Sequence, residues 1–144
     1  AVLTVTGGPL TNGVGGTLTA LAGANGPRTL VAVLDNQGTV TVRPGSAGTL
    51  AINGSLTTSG MIDMELGGLS AGSQYDQIIV TGGTVTLGGT LNVTSINSFT
   101  PVALNSFTVL TFPSVTGTFA TIIPPAGVIL TPAYNPSSVV VTVQ

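Results

Sequence analysis

Four segments of this chain open on a glycine and then alternate strictly in polarity. They are Gly16-Thr-Leu-Thr-Ala, Gly38-Thr-Val-Thr-Val, Gly60-Met-Ile-Asp-Met and Gly83-Thr-Val-Thr-Leu, spaced by 22, 22 and 23 residues. Strict alternation is the period of a strand with one face buried. Leu18, Ala20, Val40, Val42, Ile62, Met64, Val85 and Leu87 form the inward set. Thr17, Thr19, Thr39, Thr41, Met61, Asp63, Thr84 and Thr86 form the outward set. Turn signals follow at Asn25-Gly26-Pro27, Arg43-Pro44-Gly45 and Gly67-Gly68, and second strands are expected at 29–34, 49–52 and 77–80.

A unit of about 22 residues holding two or three short strands cannot bury its inner face alone, so its neighbours must stack on it. The N-terminal half therefore reads as coils of a parallel β-solenoid. An antiparallel β-sandwich, jelly-roll-like, stays open as the alternative, with Gly-Thr-Val-Thr recurring by chance in a chain rich in those residues. Stacking makes a local prediction: Arg43 and Glu65 occupy the same outward position in successive coils. They should form a ladder ion pair one inter-strand spacing (~4.8 Å) apart.

The second half changes character, because Phe99, Phe107, Phe112 and Phe119 are the chain's four phenylalanines. Larger side chains call for a wider core. Strands are expected at 89–94, 107–112, 117–123, 128–130 and 138–143, separated by Pro101, Pro113, Pro124-Pro125, Pro132 and Pro136. At 144 residues, 42% hydrophobic, the chain is read as a single all-β domain, 1–144, with a β-rich, wider C-terminal part.

Residues 54–144 resemble the C-terminal part of bacterial surface β-solenoid proteins of the autotransporter-passenger and filamentous-adhesin type. The resemblance lies in Gly54-Ser-Leu56, Tyr75-Asp76-Gln77-Ile78, Val80-Thr81-Gly82 and Val85-Thr-Leu-Gly-Gly-Thr-Leu91. It continues through Phe99-Thr-Pro101, Phe107-Thr-Val-Leu110, Gly117-Thr-Phe119 and the closing Val-Val-Thr-Val. It implies an exported, surface-associated β-protein and brings no catalytic residues with it. The outer-membrane barrel of autotransporters has no counterpart here. The first residues, Ala1-Val2-Leu3, lack an initiator Met, which fits a chain processed by signal-peptide removal.

The charged side chains are six: Arg28, Asp35, Arg43, Asp63, Glu65 and Asp76. No His, Cys or Lys occurs, which excludes His-based triads, thiol nucleophiles, most zinc and copper sites, P-loops and Schiff bases. Asp63 and Glu65 lie two apart on one strand face, near the separation of a glycosidase pair. A flat outer face beside Arg43 makes them a solvated pair instead. Asp35-Asn36-Gln37-Gly38 and Asp76 have oxygens for Ca²⁺, but too few carboxylates cluster, and a turn is the reading. The Thr-x-Thr pairs at 17/19, 39/41 and 84/86 suggest threonine columns of the ice-matching kind, interrupted by Met61 and Asp63. No catalytic, cofactor-binding or metal-binding residue is assigned; nucleic acid is not expected of so weakly charged a chain, nor membrane insertion of one with no window of 18 apolar residues.

Residues 1–27 and 77–144 carry no charged side chain. Charge normally guards strand edges against pairing with other chains. The expectation is an extracellular structural protein that polymerises with copies of itself into a filament, fibre or sheath. Terminal strands 1–6 and 138–143 would be candidates for strand donation between subunits. The alternative function is a surface adhesin or carbohydrate-binding module for cell-surface glycans, with Tyr75 and Tyr134 available to line a groove.

Overall fold

The computed structural model describes residues 1–23 and 26–144, and among these residues there is strand and turn but no helix. The strands come in threes. The first unit holds β1 (Val2–Thr4), β2 (Leu10–Asn12) and β3 (Thr17–Ala20). The second holds β4 (Arg28–Val31), β5 (Leu34–Asn36) and β6 (Thr39–Val42), and the third β7 (Thr49–Asn53), β8 (Leu56–Thr58) and β9 (Met61–Leu66). The fourth holds β10 (Gln77–Thr81), β11 (Val85–Leu87) and β12 (Thr90–Ser95). The fifth holds β13 (Ser106–Thr111), β14 (Val115–Gly117) and β15 (Thr121–Ile123), and β16 (Leu130–Tyr134) and β17 (Ser138–Val143) follow.

From β1 to β12 each strand pairs with the strand three places on, which divides the chain into three sheets. Sheet A runs β1-β4-β7-β10-β13-β17-β16, sheet B β14-β11-β8-β5-β2 and sheet C β15-β12-β9-β6-β3. Every pair is parallel except β13–β17 and β17–β16. The parallel ladders exclude the antiparallel sandwich that the sequence left open.

Alternation converts directly into this arrangement. Leu34, Leu56 and Val85 stack in one inward column of sheet B, and Val40, Ile62 and Leu91 in one of sheet C. All six are buried, and with Leu30, Ile52, Val80 and Ile78 from sheet A they form one hydrophobic core. The inward set expected from the sequence is buried throughout, apart from half-buried Leu18 in the first unit.

The corner between sheets B and C is built from polar side chains that turn inward. Asn12 Nδ2 donates to Asn36 Oδ1 (2.8 Å) and to the Thr39 carbonyl (3.0 Å). Asn36 Nδ2 in turn donates to Thr58 Oγ1 (3.1 Å) and to the Met61 carbonyl (3.0 Å). Asn36 is fully buried, and the ladder satisfies it as burial requires. Beside it, the Gly38 and Gly60 amides donate to the Asn12 and Asn36 carbonyls. A Cβ on Gly38 or Gly60 would overlap the backbone carbonyl of the preceding unit, so only glycine lets the units approach this closely.

Four local expectations need correction. The fourth repeat does not begin at Gly83: Val85–Leu87 pairs with Leu56–Thr58 in sheet B, and Thr90 is the residue that faces Met61 in sheet C. The sheet C spacing is therefore 22, 22, 29 and 31 residues, because loops between β9 and β10 and between β12 and β13 lengthen the later units. Second, Thr41 faces Asp63 as expected, but no Arg43–Glu65 ion pair forms among the described residues. The backbone turns left-handed at Arg43 (φ 40°), and both Glu65 carboxylate oxygens instead accept from the Gly45 amide (3.0 and 2.9 Å). Third, residues 117–123 are not one strand but the end of β14, a corner and β15. Fourth, the strand expected at 128–130 is Leu130–Tyr134 and contains Pro132. Proline is tolerated there because β16 is the edge of sheet A. Of the turn expected at Asn25-Gly26-Pro27, Asn25 lies outside the described residues.

At the C-terminal end, β17 lies between β13 and β16, with Val139, Val141 and Val143 buried. Phe107 packs edge-on against Tyr75 and Phe99, at ring-centre distances of 5.2 and 6.2 Å. The Tyr134 hydroxyl on β16 accepts from the Phe119 amide (3.1 Å) at the corner between β14 and β15. The closing hairpin therefore reaches from sheet A to the opposite corner and roofs the core.

Candidate functional site

The two ends of the stack differ. At the N-terminal end β1, β2 and β3 are each the outermost strand of their sheet. Among the described residues, no further strand lies over the inward side chains of this unit. Leu3 is 51% exposed, while Leu30, its partner one unit down, is 3% exposed. Leu10 and Leu18 are likewise only half-buried, although the residues beneath them, Leu34 and Val40, are fully buried. Between β1 and β3 lies an open, mainly apolar cavity of about 230 Å³ whose lining includes Leu3, Leu18, Ala20, Leu30 and Leu50.

Arg28 stands at the rim of this opening. It pairs with Leu50, so it takes an inward column position that is apolar in every later unit: Leu50, Ile78, Leu110. Its Nε donates to the Leu21 carbonyl (2.9 Å), which holds the cation over the edge of the apolar mouth. Composition alone gave no hint of this placement. The register of Arg28-Thr-Leu-Val against Leu50-Ala-Ile-Asn was its only sequence signal.

Apart from Asp35, the carboxylates singled out in the sequence serve as acceptors for neighbouring units. Asp63 accepts from Asn92 Nδ2 (2.8 Å) and Thr41 Oγ1 (3.4 Å), on the outer face of sheet C. Glu65 is taken by the Gly45 amide, so the two carboxylates hold adjacent turns and strands rather than face a common cleft. Asp35 accepts from Gln37 Nε2 (2.7 Å) on sheet B, separated from Asp76. Among the described residues no group of three acidic, His or Cys side chains could hold a metal ion.

Asp76 is the exception to an otherwise solvated set. It is fully buried and accepts from the Gly48 amide and the Glu65 amide, both at 2.9 Å. Burial pushes its carboxyl up from the ordinary 3.8 to about 7. The two amide hydrogen bonds and Arg43 pull it down, and the nearby Glu65 charge adds to the rise. Arg43 itself has a buried Nε with no acceptor among the described residues.

Neither tyrosine lines a groove. Tyr75 is buried, its hydroxyl accepting from the Thr108 amide (3.1 Å), and Tyr134 is occupied at the Phe119 corner. The threonine pairs also separate. Thr17/Thr19 and Thr39/Thr41 share sheet C, whereas Thr86 lies in sheet B between Thr57 and Thr116. The two outward columns of sheet C read Thr17, Thr39, Met61, Thr90, Thr121 and Thr19, Thr41, Asp63, Asn92.

Of the two terminal strands, Ser138–Val143 is paired on both sides within its own chain, and Val2–Thr4 on one side only. The described residues contain no helix long and apolar enough to cross a membrane. No protein-family model matches the chain, and neither a curated protein nor a solved structure is similar to it.

Proposed function

We propose that this chain is an extracellular structural protein: a five-coil β-solenoid subunit that self-assembles into a surface fibre, filament or sheath. The observation that carries this reading is the open N-terminal end, where three edge strands bear apolar side chains that no further strand covers among the described residues. An unguarded edge of this kind is a template for strand addition. The charge-free segments 1–27 and 77–144 support it, since Arg28 is the one charged side chain lining the N-terminal opening and the C-terminal segments have none. So does the resemblance of residues 54–144 to bacterial surface β-solenoids. In this reading the chain is not an enzyme: Asp63, Glu65 and Asp76 are spent on holding neighbouring coils.

Negative-stain electron microscopy of the purified chain tests the proposal. Extended assemblies should form and persist in about 1 M salt, where charges are screened within about 3 Å. Isolated particles of subunit size under every condition would count against it.

A further inference from the structure

We infer that the open N-terminal end pairs with the same end of a second copy of this chain, about a twofold axis crossing the stack. This rests on the self-assembly reading above and names the mate of that surface.

The shape of the two ends selects the mate. Whatever covers Leu3, Leu10 and Leu18 must present three edge strands, with an apolar face to meet the mouth between β1 and β3. The C-terminal end does not. There sheet A extends two strands beyond β13, while sheets B and C stop at β14 and β15. Leu130, Val139, Val141 and Val143 are already buried, and Tyr134 is bonded across to Phe119. Within this molecule the matching surface is the N-terminal end itself.

Direction agrees. The strands of one unit follow each other around the stack in one sense, so a copy turned end over end runs the opposite way. Contacts between the two ends are then antiparallel all round, a pairing that edge strands accept readily. A twofold contact also sets patches against their own copies, so a charged edge would repel itself. Residues 1–27 have no charged side chain, and Arg28 at the rim is turned to its own Leu21 and Gly26 carbonyls. The resulting pair is bipolar, with a roofed C-terminal end at each pole. Growth into a fibre then proceeds through the charge-free C-terminal segments, where Val102, Leu104 and Ile129 are exposed.

Spin-label distances test the geometry, and a chain without cysteine allows single labels. Thr19→Cys on β3 and Ser137→Cys in the β16–β17 turn are both exposed positions at opposite ends. Thr19 labels should show a short intermolecular distance in the pair. Ser137 labels should lie roughly 50 Å or more apart, across two stacks of at least five strands at ~4.8 Å each. A short Thr19-to-Ser137 distance in mixed samples would mean head-to-tail stacking, which overturns the twofold pair and leaves self-assembly standing. A monomer at all concentrations overturns both.

Leu3→Lys should weaken pairing about tenfold or more, because like charges then meet across the axis. Val2→Lys, at a side chain 68% exposed, carries the same charge with less risk to folding. Thr57→Lys on the outer face of sheet B should leave pairing unchanged. If both edge lysines pair as strongly as the parent chain, the N-terminal end is not the contact.

Discussion

Asp76 couples the fold to pH more directly than any other side chain. Its folded-state pKa of about 7 lies above the ordinary 3.8, so between those values the folded chain binds more protons than the unfolded one. Stability is therefore greatest below about pH 4 as far as Asp76 is concerned, and it falls as the pH rises through 7. Urea melts across this range should show that slope. In Asp76→Asn the slope should flatten. The variant should also lose about 1–3 kcal/mol at pH 5, because an amide NH₂ then faces one of the two backbone donors. Asn36→Ala tests the ladder in the same way. It leaves Thr58 Oγ1 and the Met61 carbonyl without their buried donor, and a loss of about 1–3 kcal/mol is expected in a denaturant melt. The sequence showed Asp76 only as one member of an acidic set. Its burial depends on contacts with Gly48 and Glu65, 28 and 11 residues away, which no local pattern records.

At the scale of strands and corners, glycine decides how closely units stack. Gly60→Ala would drive its methyl into the Gly38 carbonyl, and overpacking of this sort costs about 1–3 kcal/mol. Thr57→Ala, exposed on sheet B, should be nearly neutral, and comparing the two melts separates corner crowding from a general effect of substitution. Alternation placed the inward residues of β3, β6 and β9 correctly because it is a local property of each strand. Register is not local. Gly83-Thr-Val-Thr-Leu reads like Gly38-Thr-Val-Thr-Val, yet the longer connection between β9 and β10 moves it one sheet over. The competing match, Gly89-Thr-Leu-Asn-Val, alternates equally well and was the correct one. The short strands of sheet B were the hardest to see. Three residues give one and a half periods, and their clearest mark was the recurrence of Leu-x-Asn at 10–12 and 34–36.

For the whole molecule, the asymmetry of the ends matters most. The closing hairpin is part of the core, so removing residues 138–144 takes out the strand between β13 and β16 and uncovers the aromatic cluster around Phe107. Loss of cooperative unfolding, measured by circular dichroism on heating, is the expected outcome. The N-terminal end has no such roof, and its candidacy was only partly legible: the missing charge pointed to residues 1–27, while the apolar mouth and the place of Arg28 needed the three-sheet topology. The proposal is that this end, whose mouth has Arg28 as its one charged side chain, joins subunits. Sedimentation velocity over a concentration series, in dilute buffer and in about 1 M salt, addresses it most directly, since ionic contacts are screened in the second. The account predicts association that grows with concentration, survives the salt and is weakened by Leu3→Lys. A single monomer boundary at every concentration in both buffers would contradict it.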